Sequence, residues 1–196
     1  PDGGRGRAGR NRFTAGHRWR LDLPPSRATE LGDFRVAAWL DSDFSPVDPS
    51  VAAVLADAVA ALEGAGARID HERRPDLDAT AAAYDGAALI GLATAISDND
   101  HREGAAGETS HRSWDVRHRE RGEIRQRWAE FFTDIDIVLC PVSPVPAFEH
   151  VHDPAGSNWA NARLADFGDR PYVETMFWNT LIGSAYLPVT TPPIGR

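Results

Sequence analysis

The chain has 196 residues, 42% of them hydrophobic and 26% charged, enough for one core that buries roughly 70% of the unfolded chain's surface; no apolar run approaches the ~20 residues a membrane span needs. The net charge of -8 is uneven, because Arg5, Arg7, Arg10, Arg12, Arg18 and Arg20 stand against Asp2 alone at the start, leaving a body acidic enough to repel a phosphate backbone and exclude nucleic acid as its partner. All 21 basic residues are arginines, and the one cysteine, Cys140, excludes an internal disulfide framework and fits a reducing, cytoplasmic setting.

Residues 1–18 read as an Arg/Gly-rich disordered tail. Its run GGRGRAGRNR has the texture of a nucleic-acid-binding arm, but a flexible solvated linker has the same composition and is the favoured reading. Order is expected from Trp19, with 19–196 as one α/β domain. Leu21 to Arg27 (LDLPPSR) is an extended approach, since Pro24 and Pro25 forbid helix.

Residues 34–40 (FRVAAWL) predict a strand with Phe34, Val36, Ala38 and Leu40 on one face and Trp39 on the other, both faces covered. Asp48 before Pro49 is a helix start, an acceptor at the cap followed by a preset φ. Val51, Val54, Leu55, Ala58, Val59 and Leu62 then fall on one helical stripe, and Gly64 and Gly66 supply a left-handed exit. A short strand follows at 67–70. Strand, helix and strand over about 37 residues make a βαβ unit, hence parallel pairing with a right-handed crossover.

An alanine-rich helix is expected over 78–96, then a polar loop from Ser97 to Ser110. A second long helix spans 112–133, its core stripe (Ile124, Trp128, Phe131, Phe132) confined to the C-terminal half. Ile135 to Cys140 (IDIVLC) reads as a buried strand ending in the loop CPVSPVP, and the carboxyl end of such a strand is where α/β sheets bind ligands. A helix near 172–183 and a last strand over 186–191, broken by Pro188, complete the chain.

Individual residues carry competing readings. Cys140 could act as a nucleophile, but no base stands near it in sequence, and a small buried hydrophobe is the favoured reading. His150 and His152, two apart with Asp153 beside them, would face one side of a strand and could share a zinc, yet no third ligand appears at a recognisable spacing; no metal site is assigned. His111 and His118 lie two helical turns apart among arginines and acids, the pattern of a solvated, salt-bridged face. Trp114 and Trp128 could stack a ligand or anchor the core. No cofactor is expected.

The ordered series of segments resembles the amidase signature enzymes. The resemblance runs through Trp19-Arg20-Leu21, Leu23-Pro24-Pro25, the strand and helix from Phe34 to Gly66, Arg127-Trp128 and Phe131-Phe132. It continues through Asp136 to Pro141 with Pro144, Trp178-Asn179, and Leu187-Pro188 to Pro193-Ile194-Gly195; Pro1-Asp2 resembles the end of a turn that precedes this region in the family. The resemblance implies part of the amidase-signature fold, a mixed β-sheet flanked by helices and incomplete here. It implies a hydrolase that takes a small-molecule carboxamide to a carboxylate and ammonia or an amine. In that family a serine attacks, a second serine relays its proton, a lysine is the base and backbone N–H groups hold the oxyanion.

Those groups belong to a Gly/Ser-rich signature that this chain lacks, and arginine is too strong a base to replace the lysine. No catalytic residue is therefore assigned. The expectation is an internal piece of the C-terminal half, inactive without its N-terminal partner half, its cleft wall formed by Cys140, Pro141, Val142 and Ser143 with Trp178 and Asn179. Two alternatives stay open: a non-catalytic α/β complementation or binding module, such as one subunit of a split amidase, and an unrelated metal or cysteine hydrolase built on His150, His152 and Cys140.

Overall fold

The computed structural model describes residues 22–98, 111–149, 163–164 and 167–195, and it is organised around one strand of small apolar residues. Strand β1 (Arg35–Ala38) buries Val36, Ala37 and Ala38 in succession, with Trp39 after them. Alternate side chains point to opposite faces, so both faces are covered, as the composition requires. Strands β2 (Arg68–Asp70) and β3 (Ile137–Leu139) flank β1 in the order β2-β1-β3, both parallel to it, with Val36 opposite Ile69 on one side and Ile137 on the other. The sequence reading expects a mixed sheet. Instead the three strands are all parallel, and antiparallel pairing among the described residues joins only β4 (Arg163–Leu164) to β5 (Arg170–Pro171), a separate ribbon. The reason is connectivity: helices intervene between the strands of the larger sheet, and a helical crossover returns the chain in the same direction.

The start of the β1–β3 pairing is clamped by one carboxylate. Asp136 accepts from the Arg35 backbone N–H at 2.9 Å, from Arg35 Nε at 3.1 Å and from Arg35 Nη2 at 2.9 Å, a bidentate guanidinium fork, and Arg27 adds a second ion pair. These hydrogen bonds, with the Arg27 charge behind them, hold the Asp136 carboxyl far below the usual carboxylate range. The backbone completes the clamp, Asp136 N–H donating to Arg35 O at 2.8 Å.

Helix α1 (Pro49–Gly64) starts as its sequence dictates: the Asp48 carboxylate accepts from Ser50 N–H at 2.8 Å and Pro49 occupies the first turn. At the other end Gly66 takes φ +101, whereas Gly64 is simply the last helical residue, so one glycine and not two makes the exit. The apolar stripe is less covered than its spacing suggests, since Val59 is buried while Val51, Val54, Leu55, Ala58 and Leu62 are half-buried. A 16-residue helix is about 24 Å long, and strands of three and four residues reach only about 10–13 Å.

Three helices form the opposing layer: α2 (Ala79–Asp98), α3 (His111–Phe131) and α4 (Phe177–Ser184), the last entered through a 3-10 turn at Tyr172–Met176. Ala37 of β1 and Trp39 just after it meet Ala82 and Ala83 of α2, Trp128 and Phe131 of α3, and Phe177, Trp178 and Leu181 of α4 in one cluster. Alanines on α2 leave room for the large rings of α3 and α4, and Trp39 meets Trp178 edge-on at 5.4 Å, the arrangement the ring quadrupoles favour. Gly86 sets the approach of α2 to α4: a Cβ there would stand 2.6 Å from Thr180 O and 3.0 Å from Ser184 Cβ.

Two expected strands differ from what is observed. The run 135–140 shortens to Ile137–Leu139 and, among the described residues, lies at the sheet edge with Ile137 39% exposed, because only β1 pairs with it there. The strand expected over 186–191 does not form. Tyr186 turns at φ +57, Pro188, Pro192 and Pro193 remove ladder donors, and residues 187–195 run irregular and mostly exposed. Of the loop expected over 97–110, residues 97–98 belong to α2 and 99–110 lie outside the described residues, as does the tail 1–18. No helix among the described residues is long and apolar enough to cross a membrane.

Candidate functional site

At the carboxyl ends of β1 and β3 the loops 39–48 and 140–149 run side by side. The parallel register makes this juxtaposition, and two backbone bonds hold it: Trp39 N–H donates to Leu139 O at 2.8 Å and Asp48 N–H to Pro144 O at 2.7 Å. A third segment closes on them. Fully buried Ser45 donates to Glu174 O at 2.9 Å, and Arg170 donates to Phe44 O and to Glu174 Oε2, each at 2.6 Å.

Between the three segments lies an open groove of ≈ 200 Å³, lined by Pro46, Val47, Asp48, Val145, Phe167, Gly168 and Arg170. Its walls are mainly apolar, and its two charges are both engaged. Asp48 is held ionised below its ordinary range by the Ser50 hydroxyl and N–H, while Arg170 is matched by Glu174 and stacks over Phe167 at 5.5 Å. Gly168 and Asp169, just before β5, both take positive φ, 59 and 56, and Phe167 beside them lines the groove. The position at the strands' carboxyl ends is where parallel sheets place ligands.

The six residues expected to form a cleft wall are split by the structure. Val142 and Asn179 come together at the surface, Asn179 Nδ2 donating to Val142 O at 3.2 Å, so the loop after β3 does meet the start of α4. Pro141 and Trp178 are fully buried and belong to the core. Cys140 packs against that core, and burial pushes its thiol up to about 11, which leaves it protonated and poorly nucleophilic near neutral pH. Ser143 closes a tight turn on Val145, donating to its carbonyl at 2.9 Å and accepting from its N–H. None of the six lines the groove; its lining from the same loop is Val145.

The other candidates fall out as follows. His150, His152 and Asp153 lie outside the described residues, and among those that are described no three His, Cys, Asp or Glu side chains gather to hold a metal. His118 accepts from Arg121 Nη2 and stacks on Trp114, while Trp128 is wholly in the core. The hydroxyls of Ser45, Ser143 and Ser184 each donate to a backbone carbonyl, so none is paired with a base. The groove-lining Phe167, Gly168 and Arg170 had no sequence signal, since the ribbon that carries them is two residues wide on each strand. Compared with models of known families and with curated proteins, the chain matches none.

Proposed function

We propose that this chain supplies the cleft-lining, non-nucleophilic part of an amide hydrolase of the amidase signature type, cleaving a small carboxamide to a carboxylate and ammonia or an amine when a serine–serine–lysine segment acts with it. The observation that carries the reading is the junction at the carboxyl ends of β1 and β3, where the loop opening Cys140-Pro141 is bonded to Trp178-Asn179 through Asn179 and Val142, bringing together motifs that stand far apart in the sequence. The chemistry of the residues present is consistent with a supporting role. The half-buried and buried serine hydroxyls named above are spent on backbone carbonyls, the thiol is protonated, and the chain holds no lysine. Its part would be to bind and orient the amide, with apolar Pro46, Val47, Val145 and Phe167 excluding water from the acyl or aryl group.

The test is hydrolysis of a panel of aryl, acyl and amino-acid amides, by the chain alone and with a polypeptide that bears the serine–serine–lysine segment. Turnover is expected only in the second case, with labelling by a serine-directed inhibitor confined to the added polypeptide. Turnover by the chain alone, abolished by that inhibitor, refutes the supporting role; no turnover in a stable joint assembly counts against the amidase reading itself.

One observation favours a second reading, a non-catalytic complementation module. β3 is an edge strand among the described residues, with Ile137 39% exposed, and an open edge is a template for a strand from another polypeptide. Stable co-purification with a polypeptide that lacks any amidase activity would favour it.

A further inference from the structure

Beyond the exposed Arg112 of its first turn, the arginines of α3 divide into two groups. Arg117 meets Asp85 and Glu120, Arg119 meets Asp115, and Arg127 meets Asp76 and Glu130. Arg121 and Arg125, one helical turn apart, meet no carboxylate among the described residues. Yet Arg121 is only 6% exposed, and a buried guanidinium without a counter-charge is costly. Both converge on one ring: the Arg121 guanidinium lies 4.4 Å and that of Arg125 5.5 Å from the centroid of Tyr186. The two charges therefore stand within about 10 Å, roughly one Debye length at 0.1 M salt, and repel one another. This happens in a protein whose net charge is -8, where acids to neutralise them are not scarce.

The surroundings fix this arrangement. Arg121 Nη2 donates to His118 Nδ1 at 2.5 Å, and Trp114 stands 5.8 Å from the guanidinium, so two side chains hold its direction. Tyr186 sits at φ +57, a left-handed conformation uncommon for a bulky residue, and remains 61% exposed. A mere pin between the turn after α4 and α3 would account for one stacked arginine. It leaves unexplained why two cations share a ring with no acid beside them among the described residues.

We infer that Arg121, Arg125 and Tyr186 form a site for a small oxyanion, a carboxylate or a phosphate, that neutralises the paired guanidiniums at the junction of α3 with the turn after α4. Guanidinium forks bind both groups through paired N–H donors, and the exposed Tyr186 ring would favour an anion with a planar substituent. The site lies at the opposite end of α4 from the Val142–Asn179 junction, and it does not depend on the amidase reading.

The experiment is thermal unfolding of the whole chain against sodium phosphate and, separately, sodium benzoate, with sodium chloride at matched ionic strength as the control. The expected result is a saturable rise in Tm with at least one of the two, exceeding chloride, and an apparent affinity at least tenfold weaker in Arg125→Gln. A response to phosphate alone assigns a phosphate ligand, and a response to benzoate alone assigns a carboxylate. Arg125 is exposed, so its variant folds even if Arg121→Gln does not. A response no larger than that to chloride, or one unchanged in Arg125→Gln, overturns the inference.

Discussion

Replacing Gly86 by alanine sets two effects of opposite sign against each other. Within a helix the change ordinarily stabilises by about 0.5–1 kcal/mol, because glycine loses more backbone freedom on folding. At Gly86 the added methyl would stand 2.6 Å from the carbonyl oxygen of Thr180 and 3.0 Å from Ser184 Cβ. The oxygen belongs to the backbone of α4, whose Trp178 and Leu181 are seated in the core at 1% and 0% exposure, so α4 can retreat only by disturbing them. Overpacking of this kind costs about 1–3 kcal/mol, and Gly86→Ala is therefore expected to lose between about 0 and 2.5 kcal/mol net. Gly122 is the internal control, since it lies in α3, is exposed, and a Cβ there meets nothing within 4 Å. Gly122→Ala should gain about 0.5–1 kcal/mol by the same helix propensity. Urea unfolding followed by tryptophan fluorescence measures both, with an unchanged m-value confirming that stability alone has moved. If Gly86→Ala is stabilised to the same extent as Gly122→Ala, the close approach of α2 and α4 described above is wrong.

Three further outcomes follow from the site and its scaffold. The folded pKa of Asp136 lies below its unfolded value of 3.8, so its contribution is fully present above pH 4 and is lost as pH falls through the folded value; Asp136→Asn should be less stable at pH 7 and should lose less on acidification than the wild type, and parallel pH curves would contradict the clamp. The Cys140 thiol, pushed up to about 11, should react with iodoacetamide at pH 8 roughly a hundredfold more slowly in the folded chain than in urea, and comparable rates would show an accessible thiolate. Trp178→Ala should cost about 3–5 kcal/mol by emptying the core, whereas Asn179→Ala, at the surface, should leave stability within about 0.5 kcal/mol; a large loss at Asn179 would mean that its bond to Val142 organises more than the local loop.

Local rules carried much of the secondary structure into the sequence. Asp48-Pro49 marks a helix start by chemistry that needs no partner, Gly66 supplies the positive φ that ends it, and the spacing of Ile124, Trp128, Phe131 and Phe132 announces the buried half of α3. The consecutive apolar residues of β1 implied a strand covered on both faces, and β1–α1–β2 implied parallel pairing. What the spacing could not convey was how much of each apolar face finds a partner. The α1 stripe has only Val59 buried, and the apolar run before Cys140 is half-exposed because only β1 pairs with it among the described residues. The expected strand over 186–191 fails because a ladder needs a neighbour as well as a pattern.

The site divides the same way. That the loops after β1 and β3 gather at the carboxyl ends of those strands was legible, since parallel connectivity alone decides which ends carry the loops. Which residues line the groove was not, because Arg170, Phe167 and Val47 are brought together by Ser45, Glu174 and the turn at Gly168-Asp169, contacts spanning more than a hundred residues of chain. The same holds for Arg121 and Arg125, which in sequence are two more arginines on a charged helix. Only the return of the chain at Tyr186 stacks both on one ring, with no carboxylate beside them among the described residues. Helix and strand are set by neighbours a few residues away, while burial and charge balance depend on segments that only the folded chain brings into contact.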